Sequence, residues 1–289
     1  MTKAELTELL IDANIEVIKN ALEDSPRRNP VEVAQDWYNN LNGVKFSDWG
    51  KDLFKYSIPI KEIKIPTEMV ILCLNSGKKA EHILVNYLQR QLNKKENQFF
   101  FGANKIKKLF VKLESRSPKD YIQNWPKEDY KALYNAEEIV DALLGSMKTF
   151  EDLVFLTQLK DEVILYVRPF ADFERRYEWR VFVKDRKVIG ISQQFYKETF
   201  SYNKKYLNEI KRSVTYFMDN ICIPNIKVDS FVADLYVSGG THYKPGITKR
   251  FLDISIIETN PYGLSDPCLF ETYDELELRN EFLKYNKNE

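Results

Sequence analysis

The sequence predicts an α+β protein with mostly antiparallel sheets, and two observations lead to this class. First, short runs of alternating apolar and polar residues, typical of strands, are separated by stretches with helical spacing. Second, some strands follow one another with only a short polar turn between them, as in EWRVFVK (178–184) and KVIGISQQFY (187–196), which Asp185 and Arg186 join. At 289 residues the chain is long enough for one large or two medium domains.

The first third of the chain is predicted to be a smaller helical or α+β subdomain, which we place at residues 1–97. Thr2 and Glu5 form a capping box, and apolar residues recur at helical spacing as far as about Glu23. The elements expected next are a helix over 31–41, a strand over 58–65, and helical sequence over 67–94 with a break near Asn75–Gly77.

The remaining residues, 98–289, alternate between strands and helices. Thr149 and Asp152 are the expected caps of a helix that runs to about Lys160. The segment SDPCLFETYDELELRNEFLK, which begins at Ser265, is predicted to close the chain as a helix. The other predicted elements are strands at 108–113, 163–170, 178–184, 187–196, 229–237 and 251–258, and a helix at about 203–220.

Composition argues against several classes of protein. Lysine and arginine total 43, as do aspartate and glutamate, so the whole chain has no basic excess of the kind that nucleic-acid binders carry. The 44% of apolar and 30% of charged residues are typical of a soluble globular protein, and no apolar run approaches the ~20 residues of a membrane span. The N-terminus has no secretory pattern. Cys73, Cys222 and Cys268 are too scattered for a disulfide framework or a C-x-x-C metal site, so a reducing cytosol is the simplest compartment.

The stretch IIETNPYG, which begins at Ile256, carries a carboxylate and a carboxamide at the end of an apolar strand. Because side chains alternate along a strand, Glu258 and Asn260 should share one face with Ile254 and Ile256. Asp234, in the preceding strand VADLYV, would lie beside Glu258 if the two strands form a hairpin. Such oxygen ligands suit Mg²⁺, which binds one or two carboxylates together with the phosphate oxygens of a nucleotide. The structural alternative is a strand-end glutamate and a turn asparagine before proline.

Cationic side chains suited to phosphate occur at two other places. Lys112 lies in the strand LFVKL, and a polar loop follows it. The loop residues able to hold phosphate by charge-assisted or hydroxyl bonds are Ser115, Arg116, Ser117 and Lys119. This loop lacks the glycines of a Walker motif, and a solvated charged turn is the alternative. Arg180 alternates with Trp179 and Val181 along its strand, where it either pairs with a carboxylate or binds phosphate.

Together, these features resemble the ATP-grasp fold: E-x-N-P at a strand end, an acidic residue on the preceding strand, an arginine on a hairpin strand, and a strand lysine before a polar loop. Four blocks are similar to the cell-division-cycle-123 family of ATP-grasp proteins, namely KLFVKLESRSPKD, YEWRVFVKDRKVIGISQQFY, FVADLYV and IIETNPYGLSDPCLFETYDEL. The similarity runs from about Lys108 to Glu275 and is most specific in the second and fourth blocks. The resemblance implies two lobes with ATP bound between mostly antiparallel sheets, with a lid at about 98–162 and a C-terminal lobe at about 163–289.

The resemblance also implies roles for the candidate residues. Asp234, Glu258 and Asn260 would hold magnesium, and this sequence has glutamate at 258 where the family usually has aspartate. The residues implied in ATP binding are Lys112, Ser115, Arg116, Ser117 and Lys119 around the phosphates, Tyr166, Val167 and Arg168 at the adenine hinge, and Arg180 at the terminal phosphates.

The function that the resemblance implies is that of an ATP- and magnesium-binding assembly chaperone in the cytoplasm. The eukaryotic family members assemble translation initiation factor two, and the expected protein partner is its gamma subunit or an analogue. The alternative is an ATP-grasp ligase that activates a carboxylate for attack by an amine or joins RNA ends, and nucleic acid is a partner only under this alternative. No catalytic nucleophile or base stands out in the sequence, so catalytic residues stay unassigned.

Overall fold

The computed structural model describes most of the chain from residue 39 onward. The described residues are 39–76, 78–94, 108–122, 132–159, 162–243, 250–278 and 282–286. The helix predicted at 2–23 and nearly all of the helix predicted at 31–41 lie outside these residues. In the described part of the chain, no helix is long and apolar enough to cross a membrane.

The chain divides into two compact units. The first comprises Met1–Asn39 and Pro59–Ala171, and the second comprises Asn40–Ile58 and Asp172–Glu289. These boundaries differ from the domains predicted at 97/98 and the lobes predicted at 162/163. The physical reason is strand pairing, since the strand near residue 60 belongs to a sheet whose other strands lie beyond residue 107.

The first unit is built on a three-stranded antiparallel sheet of order β1-β3-β2. Its strands are β1 (Lys61–Pro66), β2 (Leu109–Leu113) and β3 (Glu162–Pro169). Its helices are α1 (Thr67–Ser76), α2 (Lys78–Leu92), α3 (Lys119–Ile122), α4 (Ala136–Gly145) and α5 (Met147–Leu159). The α1–α2 division confirms the break predicted near Asn75–Gly77. Fully buried aliphatic residues of β2 and β3 form one core with the apolar faces of these helices.

The start of α5 corrects the predicted cap. Thr149 lies inside the helix, where its Oγ1 donates to the Leu143 carbonyl at 2.7 Å. Ser146 precedes the helix instead, and its Oγ accepts the Thr149 N–H at 3.2 Å. Because Asp152 therefore lies in the second turn, its carboxylate is available for bonds outside the helix.

The second unit is built on a five-stranded sheet of order β7-β6-β4-β5-β8, in which only β5 and β8 pair in parallel. Its strands are β4 (Glu178–Lys184), β5 (Lys187–Gln193), β6 (Phe231–Tyr243), β7 (Arg250–Pro261) and β8 (Leu283–Lys284). The hairpin predicted at Asp185 and Arg186 is confirmed. Both turn residues have positive φ, 50° and 60°, which gives the turn the twist that suits a two-residue hairpin.

Two elements pack against the sheet of the second unit. Helix α6 (Ser201–Phe217) contacts β7, where the Ser213 Oγ accepts the Leu252 N–H at 2.9 Å. The segment Asn40–Ile58 contacts Thr259, whose Oγ1 accepts a 2.7 Å bond from the indole N–H of Trp49. Because Thr259 lies between Glu258 and Asn260, those two side chains point to the opposite face of the strand.

The end of the chain is not the long helix that the sequence predicts. A short turn at Cys268–Phe270 precedes helix α7 (Tyr273–Leu278), and β8 follows. Cys268 and Glu271 have φ values of 56° and 59°, which interrupt a helix. This geometry buries Phe270 and Leu276 against the sheet residues Phe182 and Val232, so packing on the sheet prevails over helical continuity.

Candidate functional site

The predicted acidic residues meet on two neighbouring strands of the second unit. Asp234 on β6 lies directly opposite Glu258 on β7. The Asn260 side-chain N–H donates to the Asp234 carboxylate at 3.4 Å. Asp234 is 1% exposed and Asn260 is 9% exposed, whereas Glu258 is half-buried. The sequence therefore predicted this juxtaposition correctly, and magnesium binding by the three residues stays a prediction.

A β-bulge at Ile257 contradicts the simple alternation of side chains that the sequence predicted along β7. Asp234 pairs with Glu258 and Leu235 pairs with Ile256, so Ile257 is the extra residue of β7. Residues directly opposite in antiparallel strands point to the same side of the sheet. Ile256 therefore points with Leu235, away from Glu258, rather than sharing the glutamate's face as simple alternation predicted. The bulge lets the strand place its aliphatic residues on one face and its carboxylate on the other.

Arg180 on β4 completes this site. Its Nε and Nη2 donate to the two carboxylate oxygens of Asp234 at 2.8 and 2.9 Å, and its Nη1 donates to the Asp266 carbonyl at 2.9 Å. Burial alone would lower the pKa of the Arg180 guanidinium, but the charge of Asp234 raises that pKa above its usual value. The sequence left two possibilities for Arg180, pairing with a carboxylate or binding phosphate. The structure contains the carboxylate pair.

Lys112 and the predicted hinge residues lie in the sheet of the first unit. Lys112 on β2 is 6% exposed and pairs in register with Tyr166 on β3, which is 5% exposed. Val167 is fully buried and lies in the central strand, in register with Lys61 on β1 and Val111 on β2. The Arg168 guanidinium lies 4.5 Å from the centroid of the Phe110 ring. Burial raises the pKa of Asp152, and the ammonium of Lys112 is one of the charges that oppose this rise.

Hydrogen bonds join the polar loop after β2 to Glu151 and Asp152 of α5, which the sequence did not link to the loop. The Ser115 hydroxyl donates to Asp152, and Arg116 donates from Nη2 to Asp152 at 2.6 Å and to Glu151 at 2.9 Å. Burial raises the pKa values of both carboxyls, and Arg116 opposes this change. The acidic pair Glu151 and Asp152 was visible in the sequence, but nothing linked it to the loop, and Asp152 was interpreted as a helix cap.

The other two loop residues have different surroundings. Ser117 is half-buried, and Lys119 is exposed, with its Nζ 5.8 Å from the centroid of the Phe110 ring. Ser115 and Arg116, by contrast, contact α5. The phosphate-binding role predicted for the whole loop stays a prediction.

Three residues near Arg180 were missed. Ser192 on β5 pairs in register with Arg180, and its Oγ accepts the Leu269 N–H at 3.2 Å. Asp266 supplies the carbonyl that Arg180 contacts. Burial raises the pKa of the Cys268 thiol to about 12, with Arg180 opposing the effect. Asp266 and Cys268 could be placed only from the path of the segment after Pro261, where the sequence predicted a helix. Ser192 could be placed only from the register shift between Phe182 and Val183.

The donors at the acidic site fit a hard cation. They are two carboxylates and one amide, all oxygen ligands of the kind that Mg²⁺ prefers, and they leave positions for phosphate oxygens. Among the described residues, no group of three or more His, Cys, Asp or Glu side chains could hold a metal ion, and the acidic site itself has only two carboxylates. Metal binding by Asp234, Glu258 and Asn260 therefore depends on the amide and on ligands from outside the protein, and it stays a prediction.

Comparison with known proteins identifies the family. A family model described as D123 matches residues 90–289, which is more than half of the chain. The chain belongs to the D123 family. The resemblance to the cell-division-cycle-123 proteins is thereby confirmed, since curated relatives of this D123 protein carry that name.

Several curated relatives of this D123 protein are similar over part of their length. The Candida albicans translation initiation factor eIF2 assembly protein is 29% identical over 187 residues, covering 60% of this chain and 50% of the relative. The Xenopus tropicalis protein of the same name is 32% identical over 118 residues, covering 41% and 31%. The Eremothecium gossypii cell division cycle protein 123 is 28% identical over 185 residues, covering 61% and 47%. This chain spans about half the length or less of these relatives.

A solved structure confirms the fold class. Cdc123 from Schizosaccharomyces pombe is 20% identical, and it superposes with a TM-score of 0.65 over 86% of this chain and 95% of that chain. The D123 protein therefore has the α+β fold of Cdc123, with the mostly antiparallel sheets that the sequence predicted.

Proposed function

We propose that this protein is an assembly factor for translation initiation factor eIF2 and that it binds ATP with Mg²⁺. Membership of the D123 family and the names of its curated relatives support the assembly role. The observation that carries the nucleotide role is the convergence of Asp234, Glu258, Asn260 and Arg180 on three adjacent strands. Two carboxylates, an amide and a guanidinium in one cluster offer ligands for a hard cation and for phosphate, which supports a nucleotide site here.

Each group has a defined task in this proposal. Asp234, Glu258 and Asn260 supply oxygen ligands to Mg²⁺, which neutralises the phosphate charge of ATP when bound. Arg180 offers a planar guanidinium whose donors match phosphate oxygens. The phosphate contacts expected of Lys112, Ser117 and Lys119, which lie in the first unit, stay predictions. The adenine contacts expected of Tyr166, Val167 and Arg168, in the same unit, also stay predictions.

Calorimetry tests the nucleotide role directly. ATP should bind in the presence of Mg²⁺ and much more weakly with EDTA, and Asp234→Asn should abolish the magnesium dependence. Asp253→Asn is the matched control, because Asp253 is an exposed carboxylate on the same strand as Glu258. Retention of full magnesium-dependent binding by Asp234→Asn would reject the metal assignment.

A binding experiment tests the partner. The purified protein should capture the gamma subunit of eIF2 from the same organism, and MgATP should change that capture. The Asp234→Asn variant separates nucleotide from partner, because a variant that still folds should lose only the MgATP effect. If the subunit is not captured and ATP is consumed when a small acid, an amine or RNA is added, the ligase alternative replaces the assembly role.

A further inference from the structure

The carboxylate of Asp234 is already occupied by three N–H donors. Arg180 contributes two of them, one to each oxygen, and Asn260 contributes the third at 3.4 Å. A carboxylate offers about four lone-pair positions. Since Asp234 is 1% exposed, its remaining capacity faces protein rather than solvent.

This occupancy conflicts with metal binding at the same carboxylate. A divalent cation needs a lone pair on Asp234, and a guanidinium held on both oxygens repels a second cation at short range. Glu258 contributes to the negative field at Arg180, so one guanidinium faces two carboxylates. The Arg180 guanidinium therefore offsets the negative charge of the two proposed carboxylate ligands, Asp234 and Glu258.

Arg180 has a second anchor that does not depend on Asp234. Its Nη1 donates to the Asp266 carbonyl at 2.9 Å, whereas Nε and Nη2 bind Asp234. A phosphate offers the guanidinium a bidentate acceptor of the same geometry as a carboxylate. Transfer of Nε or Nη2 from Asp234 to a phosphate would free an Asp234 oxygen for a cation at the same time.

We propose that Arg180 makes cation binding and polyphosphate binding interdependent: it excludes a divalent cation from Asp234 until a polyphosphate accepts its donors. This inference rests on the proposed nucleotide site and adds a rule for how that site fills. A cation alone binds poorly, because it must displace a paired guanidinium. The cation with a nucleotide binds well, because every charge then has a partner.

Manganese titration followed by electron paramagnetic resonance tests the rule, with Mn²⁺ alone as the probe. Arg180→Gln removes the competing charge and should bind Mn²⁺ about tenfold more tightly than the wild type, as expected for loss of a charge-assisted pair. Arg186→Gln is the matched control, because Arg186 is a more exposed arginine in the turn between β4 and β5, paired with Asp229 at 3.5 Å. It should leave Mn²⁺ affinity unchanged. Adding Asp234→Asn to Arg180→Gln should remove the gain.

The outcomes separate this rule from the proposed function. Wild-type protein that binds Mn²⁺ with ATP, combined with an Arg180→Gln variant that gains nothing for Mn²⁺ alone, would overturn the rule and leave the nucleotide site intact. If neither the wild type nor Arg180→Gln binds Mn²⁺, with or without ATP, both the rule and the proposed nucleotide site are rejected. Wild-type protein that binds Mn²⁺ alone as tightly as with ATP would also overturn the rule.

Loss of Arg180 leaves a buried carboxylate without its partner, which destabilises the variant. Nuclear magnetic resonance on the wild type gives an independent measurement. The Arg180 Nε–H signal should shift when Mg²⁺ and ATP are added together and stay in place with Mg²⁺ alone. A signal that shifts with Mg²⁺ alone, or that ignores MgATP, would overturn the rule.

Discussion

Arg116 and Asp152 join the loop after β2 to helix α5 across 36 residues of sequence. Arg116 donates to one Asp152 oxygen from Nε at 3.0 Å and from Nη2 at 2.6 Å, and the Ser115 hydroxyl donates to the other. The Asp152 side chain is 3% exposed. This contact holds the loop that was predicted to bind phosphate, and it makes Asp152 the residue that positions it.

Asp152→Asn should destabilise the first unit. The substitution removes one charge of a buried pair and leaves Arg116 with Glu151 alone, which we expect to cost about 2 kcal/mol of unfolding free energy. Urea denaturation measures this loss. Glu151→Gln is the control, because its side chain is 19% exposed and should matter less. Equal losses in the two variants would contradict the central position of Asp152.

The loop contact could not be predicted from the sequence for a physical reason. Capping motifs and hairpin turns depend on near neighbours in the chain, so the alternation around Asp185 and Arg186 was sufficient to predict the β4–β5 hairpin. The Arg116–Asp152 contact and the pairing of β1 with β3 depend on how distant segments pack, and no local signal encodes either. The same limit explains why the domain boundaries differ.

The candidate site contains contacts of both kinds, some predictable from near neighbours in the sequence and others set by how distant segments pack. Asp234 and Glu258 lie on consecutive strands of the sheet, so alternation and a hairpin placed them together correctly. The bulge at Ile257 leaves no signal in the composition of the strand. Arg180 lies on β4, and its partner could be chosen only once the register of β4 against β6 was known. The turn at Cys268 was missed because a positive φ there has no glycine to signal it.

Comparison of Glu258→Asp with Glu258→Gln should separate the effect of the side chain's charge on ATP binding from the effect of its length. Aspartate retains the carboxylate that a hard cation requires, so magnesium-dependent ATP binding should stay within about threefold of the wild type. Glutamine removes the charge and should weaken that binding by about tenfold or more. Calorimetry with and without Mg²⁺ measures both. If the glutamine variant matched the wild type, Glu258 would not be a metal ligand.

The β4–β5 turn should not tolerate a β-branched residue at position 185. Asp185 has a φ of 50°, a conformation that aspartate and asparagine adopt more easily than valine does. Asp185→Val should therefore reduce the unfolding free energy by about 1–2 kcal/mol, and Asp185→Asn should be nearly neutral. Thermal and urea unfolding measure the difference. A valine variant as stable as the asparagine variant would exclude strain at this turn.

The three cysteines should react slowly in the native protein. All three are free and buried, and burial raises the pKa of Cys73 to about 11 and that of Cys268 to about 12. Since the thiolate is the reactive form, Cys268 at pH 8 should be alkylated roughly a thousandfold more slowly than a thiol with an ordinary pKa. Below the raised pKa, each unit of increase in pH raises the thiolate fraction about tenfold, so the alkylation rate should rise with pH.

Iodoacetamide labelling followed by mass spectrometry measures this rate at each cysteine, with the urea-unfolded protein as the reference for full reactivity. Cys268→Ser is the control that assigns the signal. Because Cys268 lies beside Arg180, its labelling also reports on the site: a guanidinium that leaves Asp234 for a phosphate changes the charge around the thiol. MgATP should therefore change the labelling rate of Cys268 and leave that of Cys222, which is fully buried, unchanged. Rapid native labelling of Cys268 at pH 8 would contradict its burial and its raised pKa.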